Sequence, residues 1–391
     1  MKKHLDFLPF GCYNLFDFYE SVVFMKKALP FIKKNAVMLV AAVAAIVTSI
    51  IIPPDSEYIG YFDFKTLSCL FSVLAVVMAL RNIRFFYTLA KAIIRRFKNT
   101  KASILALVYI TFIGSMLIAN DMALLTFLPL GYFVLHTTGK EKYMAFTFIM
   151  QNIAANLGGM LTPFGNPQNL FLYSKFNIPD LEFVSIMFIP FIISIILITT
   201  CCLIFVKTEP LVIEERAASL PPVRTTVYLL LFALAILIVF RTIPYYIGLT
   251  IIVIALLFLD RQALLTVDYG LLFTFVFFFI FSGNMARMEP VREFFSFLLE
   301  KNTLVFSALS CQFISNVPSA ILLSQFTDNY KELLLGVNIG GAGTLIASLA
   351  SLITFREYSK QDPGHTLGYI IKFSLFNFAF LGILILVCSL L

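Results

Sequence analysis

The sequence predicts an all-α polytopic membrane protein of two inverted repeats, each with a re-entrant hairpin and a broken transmembrane helix. Three observations predict it: low charge, long apolar runs without a charged residue, and an Asn-x-Gly-Gly motif that occurs twice. Of 391 residues, 60% are hydrophobic and 13% charged, and the mean hydropathy is +0.92. A soluble domain carries about 25% charged residues. A chain with half that charge has more apolar surface than a soluble core can hide, and lipid is the solvent that accepts it.

Taken in order, residues 1–33 lack the compact apolar core and small-residue cleavage site of a signal peptide. They read as a retained cytoplasmic or interfacial segment. Repeat 1 covers 34–206. Its first charge-free run, 35–52, follows Lys26, Lys27, Lys33 and Lys34, and the loop after it, 53–63, is acidic. A second run lies at 66–80. Arg81, Arg84, Lys91, Arg95, Arg96, Lys98 and Lys101 then crowd one stretch with no acid among them, so the positive-inside rule makes that stretch cytoplasmic and the acidic loop external. Within it, 84–98 alternates basic and apolar residues at helical spacing and reads as an interfacial amphipathic helix.

The apolar run 102–139 is too long for one span and has Asn120-Asp121 near its middle. Basic flanks at both ends put those ends on one side, which two full spans or a re-entrant hairpin would satisfy. The hairpin is the reading adopted, because a polar tip inside the membrane is tolerated only where it faces protein or water. The run 143–174 holds Pro163, Gly165 and Pro167 and must break, since proline removes a backbone donor and clashes with the preceding turn. A final span, 183–206, closes the repeat.

Residues 207–241 form a linker with one connecting helix. Repeat 2 covers 242–391: runs at 242–259 and 269–286, an amphipathic stretch at 287–300, a hairpin at 303–327, a broken helix at 331–355 and a last span from 373. The N-terminus is expected in the cytoplasm of a cell with this protein in its cytoplasmic (inner) membrane, and the C-terminus outside.

The duplication is the most informative feature. NLGGMLTPFGNPQNLFLY at 156–173 and NIGGAGTLIASLASLITF at 338–355 align without gaps, pairing Asn156 with Asn338, Gly158 with Gly340, Gly159 with Gly341, Thr162 with Thr344 and Leu170 with Leu352. Upstream of each copy, IANDMALL and ISNVPSAILL place Asn120 and Asn316 inside apolar runs. The extra crossing at 225–240 between the copies inverts the second. Interrupted apolar segments at corresponding positions of two halves point to a transporter's binding site at the midplane.

At such breaks, helix carbonyl ends coordinate cations and amino-terminal ends attract anions. Asn166, Gln168 and Asn169 add neutral amides. The second copy places Ser348 and Ser351 at the offsets of Asn166 and Asn169, and Gly343 opens its backbone. Asp121, an ionisable group in an apolar run, marks a functional position that binds a coupling cation or carries a proton. The candidate binding residues are therefore Asn120, Asp121, Asn156, Gly158, Gly159, Thr162, Gly165, Asn166, Asn169, Ser315, Asn316, Asn338, Gly340, Gly341, Thr344 and Ser348.

Other classes find little support. No phosphate-loop, HExxH or GxSxG pattern occurs, and His4, His136 and His365 are too dispersed for a metal site. The six cysteines lack metal-ligand spacing and read as inert buried thiols. The net charge of +7 comes from basic flanks scattered between apolar runs, which excludes a nucleic-acid partner. No cofactor beyond a coupling ion, Na⁺ or H⁺, is expected. A channel is the rival within the membrane, but the paired asparagines favour a carrier.

Through Ala119-Asn120-Asp121, 156–169, Ser315-Asn316-Val317-Pro318 and 338–351, the chain resembles the ion transporter superfamily. That superfamily includes divalent-anion/sodium symporters, citrate transporters, arsenite efflux permeases and sodium/proton antiporters. The resemblance runs from about residue 35 to the end. It implies a homodimer with a scaffold part at the interface and a moving transport part, and Na⁺ held near Asn120 and Asn316 with neighbouring carbonyls. It also implies a small, anionic solute, di- or tricarboxylate-like or oxyanion-like. Ala119, Asp121 and Val317 depart from the Ser-Asn-Thr tip of the dicarboxylate symporters, which leaves room for arsenite or antimonite efflux or cation/proton exchange.

Overall fold

The computed structural model describes residues 35–211 and 219–390; the N-terminal segment 1–33 lies outside them. The described residues form seventeen α-helices and four short 3₁₀ turns, with one isolated β-bridge between Asn99 and Pro210. Helices Phe64–Asn82, Thr100–Ile118, Asp180–Phe205, Pro222–Val239 and Tyr269–Arg287, with the stretch Pro363–Cys388, are long and apolar enough to cross a membrane. The all-α polytopic membrane fold is what the composition predicts.

The first half begins with α1 (Ala36–Ile51) and α2 (Phe64–Asn82). Asp63 starts α2 by accepting the Thr66 amide at 2.9 Å, satisfying a donor that a helix start leaves free. The corner at Arg84, with φ +57°, turns the chain into α3 (Phe85–Ile94), within the stretch read as amphipathic. Asn99 caps α4 (Thr100–Ile118) through the Ala102 amide at 2.8 Å. Ala119 alone separates α4 from α5 (Asn120–Thr137), so the run 102–139 folds as two antiparallel arms joined by a one-residue tip.

The broken helix follows as α6 (Met144–Gly158), a 3₁₀ turn at Gly159–Leu161 and α7 (Pro167–Lys175). Thr162 and Asn166 both take extended backbone. Each precedes a proline, which forbids the helical region to its predecessor. The long α8 (Asp180–Phe205) ends this half.

After α9 (Pro222–Val239), the second half runs through α10 (Tyr245–Leu259), the short α11 (Arg261–Leu265) and α12 (Tyr269–Arg287). The amphipathic stretch 287–300 does not stand apart, as α3 does. It runs directly into the hairpin as α13 (Glu289–Ile314), broken only by the extended Asn302. The Asn302 side chain accepts the Val305 amide at 2.8 Å, as Asn99 does in the first half. Ser315 alone separates α13 from α14 (Asn316–Leu323). The second broken helix is α15 (Tyr330–Ile339) and α16 (Leu349–Gln361), and α17 (Thr366–Cys388) is last.

Contacts between the halves are reciprocal. α1 packs on α12, and α10 on α2; α16 packs on α5 and α6, and α7 on α14 and α15. Each broken helix thus lays its second piece against the other half's hairpin and first piece. Apolar side chains such as Leu203, Ile204, Leu230, Leu375 and Leu386 remain exposed on α8, α9 and α17. Exposed leucine rows on helices of this length are stable in hydrocarbon.

Candidate functional site

The two hairpin tips are built alike. Ala119 has φ +65° and ψ 152°, and Ser315 has φ +76° and ψ 158°. Non-glycine residues rarely hold such angles, and strain of this kind persists where surrounding structure enforces it. Beside each tip, the asparagine side chain folds back to accept the next amide: Asn120 Oδ1 from Asp121 and Asn316 Oδ1 from Val317, both at 2.9 Å.

Each hairpin is strapped to its own broken helix in the same register. Thr162 Oγ1 donates to the Met116 carbonyl at 2.8 Å, and Thr344 Oγ1 to the Gln312 carbonyl at 3.0 Å. Met116 and Gln312 occupy the same place relative to their tips. The paired glycines do likewise: a Cβ on Gly158 would lie 2.3 Å from the Phe112 carbonyl oxygen, and one on Gly340 would lie 2.8 Å from Ala308 Cα. Only glycine permits helices to approach this closely. Gly343, at φ +139°, opens the second break where the first uses prolines.

Between the halves runs a chain of buried amides whose orientations the hydrogen bonds fix. Asn120 Nδ2 donates to Asn156 Oδ1 at 3.1 Å. Asn166 Nδ2 donates to the Asn156 carbonyl and to Asn338 Oδ1, each at 3.3 Å, and Gln168 Nε2 donates to Asn338 Oδ1 at 3.4 Å. Asn338 Nδ2 donates to Asn169 Oδ1 at 2.6 Å and to the Leu334 carbonyl at 2.8 Å. Asn169 Nδ2 meets the carbonyls of Gly159, Met160 and Thr162, closing the ragged end of the first break. Four buried atoms of this region are left without a hydrogen bond: Asp121 Oδ1, Asn166 Oδ1, Gln168 Oε1 and Asn156 Nδ2. Unpaired buried polar atoms are costly. Three acceptors and one donor, with the acceptors of Asp121 and Gln168 on residues that line one cavity, suit a ligand that brings cations or hydroxyl groups.

A cavity of about 70 Å³ lies at this place, with Asn120, Asp121, Gln168, Ser315, Asn316 and Leu349 in its wall. Its transport-side lining comes from the first residues of α5, α7, α14 and α16, the amino-terminal ends of four helices. Each such end carries about +0.5 charge, and no lysine or arginine lines the cavity. The sequence-derived candidates therefore divide. Asn120, Asp121, Ser315 and Asn316 line the cavity, and Asn156, Asn166 and Asn338 stand behind it in the amide chain. Thr162, Thr344, Asn169, Gly158, Gly159, Gly165, Gly340 and Gly341 shape the breaks. Ser348 caps α16 by accepting the Ser351 amide at 3.1 Å, whereas Asn166, at the same offset, leaves α7 uncapped.

Asn35, Asp268 and Thr274 from α1 and α12 complete the wall and were not anticipated. Asp268 carried a faint signal, as the acid just before an apolar run. Gln312 also went unread; its Nε2 donates to the Gly340 carbonyl at 2.9 Å and its Oε1 accepts the Thr344 amide at 2.9 Å.

Known proteins are similar to this sequence. The citrate transporter family matches residues 21–330. An uncharacterized transporter of Methanocaldococcus jannaschii is 34% identical over 302 residues, covering 77% of this chain and 82% of that protein. The inner membrane protein YbiR of Escherichia coli is 27% identical over 305 residues, covering 75% and 80%. A silicon efflux transporter of rice (Oryza sativa subsp. japonica) is 28% identical over 183 residues, covering 46% of this chain and 36% of its own length.

Proposed function

The chain belongs to the citrate transporter family, and on that premise we propose that it is a secondary active carrier. In this reading it moves a small anionic solute, carboxylate-like or oxyanion-like, across the cytoplasmic membrane in exchange for, or together with, Na⁺ or H⁺. The observation that carries the reading is the set of four helix amino-termini around one cavity without a basic side chain. They attract an anion through partial charges, strongly enough to bind it and weakly enough to release it. The coupling cation belongs at the open oxygens of Asp121 and Gln168, with Asn120 and Asn316 fixing the tips around it. The residues present fit a cation or proton there, because both oxygens are unpaired, both residues line the cavity, and a carboxylate with an amide oxygen is a hard-cation donor set.

The reciprocal packing supports alternating access. The hairpins and broken helices form one body and α1, α2, α10 and α12 another, with the cavity between them. Inverted repeats allow such bodies to rock or slide about a fixed midplane site. Two copies joined through the scaffold would give that motion a stationary frame.

A second reading has its own support. Open acceptors outnumber open donors by three to one, which favours a neutral hydroxylated solute that donates hydrogen bonds, and the rice relative is by name a silicon efflux transporter. Flux in proteoliposomes separates the two. Citrate, succinate, sulfate, arsenite and silicate are offered, each under an imposed Na⁺ or proton gradient. Uphill movement of a carboxylate or of sulfate supports the first reading. Movement of the hydroxylated solutes alone establishes the second, and gradient-independent leak of all five refutes a carrier.

A further inference from the structure

Away from the central cavity, a second recess of about 330 Å³, with Phe86 in its wall, opens at the corner between α2 and α3. Arg81, Arg84 and Tyr87 line it from the scaffold, and Leu125, Thr126 and Pro129 line it from the second hairpin arm, α5. Both arginines are exposed. Among the described residues no carboxylate pairs with either; the neighbouring acid, Asp260, accepts from Asn82 at 3.0 Å. The Tyr87 hydroxyl also has no partner among the described residues. Two guanidinium groups and a phenol, with no acid to neutralise them, make a donor set matched to a phosphate.

The surroundings specify where that phosphate comes from. Beyond the recess, α3 exposes Leu89 and Ile93, the turn after it exposes Phe97, and Leu125 is exposed on the facing arm. An apolar row beside a cationic recess, on a helix with Arg95, Arg96 and Lys98 exposed at its far end, is the arrangement of a helix lying at the headgroup level. Acyl chains fit the apolar row and a headgroup fits the recess. The corner itself is held by Arg84 at φ +57°, a conformation that a non-glycine residue adopts at a cost, and Arg84 lines the recess from there.

We propose that this recess is a binding site for the phosphate headgroup of an anionic phospholipid, bridging the scaffold corner to the first hairpin. The bridge bears on the transport part directly. Pro129 cannot donate to the Leu125 carbonyl, so α5 lacks a rung of its ladder at the wall of the recess. A lipid seated there touches the hairpin where it bends most easily. The inference is independent of which solute the central cavity carries.

The test uses the purified full chain in detergent, titrated with phosphatidylglycerol, phosphatidylcholine or inorganic phosphate, with bound lipid counted by native mass spectrometry. Phosphatidylglycerol is expected to bind more tightly than phosphatidylcholine, and inorganic phosphate at equal concentration is expected not to displace it. Arg81→Gln with Arg84→Gln should weaken phosphatidylglycerol about thirtyfold, which corresponds to about 2 kcal/mol at ~1 kcal/mol for each basic residue at an anionic surface. The pair Arg95→Gln and Arg96→Gln, whose side chains lie outside the recess, should weaken it clearly less than the Arg81 and Arg84 pair does. Because Arg84 shapes the corner, Tyr87→Phe serves as the milder variant and should still weaken binding severalfold. Equal binding of the two lipids, or unchanged affinity in both the arginine and tyrosine variants, overturns the proposal. Displacement by inorganic phosphate overturns it too, by identifying a free-anion site.

Discussion

Asn338 holds the two halves together, and its removal has a size that can be worked from the hydrogen bonds. Asn338→Ala deletes two bonds received from Asn166 and Gln168 and two given to Asn169 and Leu334. Within membranes such bonds average ~0.6 kcal/mol each, so four amount to about 2–3 kcal/mol. Elsewhere, a buried group left with no partner costs ~1–3 kcal/mol. That larger figure applies to Asn169 Oδ1, which is sealed, but less to Gln168, which lines the cavity and can turn to water. A loss of about 3 kcal/mol is therefore expected. Equilibrium unfolding in mixed micelles measures it. A double-mutant cycle with Asn169→Ala then isolates the 2.6 Å bond, where neighbouring sites in one network couple by ~0.5–3 kcal/mol. A loss under about 0.5 kcal/mol, the level of an ordinary surface change, would falsify the view that this amide chain joins the halves, as would strict additivity with Asn169→Ala.

Four further outcomes are expected. Gly340→Ala and Gly158→Ala should each destabilise by about 1–3 kcal/mol, because backbone atoms of the adjoining hairpin arm block the new methyl; Gly382→Ala, which meets nothing within 4 Å, should instead stabilise by ~0.5–1 kcal/mol in the same unfolding measurement. Ala119→Gly should gain about 1 kcal/mol by removing the left-handed penalty, while Ala119→Val should fail to insert or to transport. Asp121→Asn, retaining the shape of the tip, should abolish dependence of flux on the cation gradient while leaving solute exchange measurable; undiminished coupling would remove Asp121 from the site. Glu209 gives a pH signature at the base of the first hairpin. Hydrogen bonds from Lys140 and Lys142 hold its carboxyl down at about 2, against an ordinary value of 4.5. A depressed acid contributes stability that is fully present above the unfolded pKa and lost as pH falls through the folded one. Protection from hydrogen exchange around 98–101 and 140–143, taken relative to the intrinsic rate at each pH, should therefore fall between about pH 4.5 and pH 2, and protection in Glu209→Gln should be insensitive over that window.

Much of the fold was legible because hydrophobic run length and charge placement are strong signals when lipid is the solvent. Apolar runs interrupted by Asn, Pro and Gly mark where the hairpins and broken helices fall, although the second broken helix runs on to Gln361, past the apolar run that ends at 355. The site was legible in part. Asn120, Asp121 and Asn316 were visible because polar residues inside such runs are expensive. The division between cavity lining and support was not, since Thr162 and Thr344 look like candidate ligands until their bonds to Met116 and Gln312 are seen. Asp268 and Asn35 were hidden for a different reason: they stand at ordinary helix starts on the scaffold, and only the reciprocal packing carries those starts to the cavity. The continuity of 287–300 with the second hairpin was also beyond reach, because one extended asparagine leaves no trace in composition.

The two hairpins differ in reach. The arms α4 and α5 have 19 and 18 residues, whereas α13 runs only from Thr303 to its tip and α14 has 8 residues. At 1.5 Å per residue the first hairpin stands about 28 Å from base to tip and the longer arm of the second about 18 Å. Both tips border the same cavity, so the two hairpins reach it with arms that differ by roughly 10 Å. In the proposed carrier, with the hairpins entering from opposite faces, a solute would meet a shallow vestibule on one side and a deep one on the other, and the two half-cycles would traverse unequal lengths of protein.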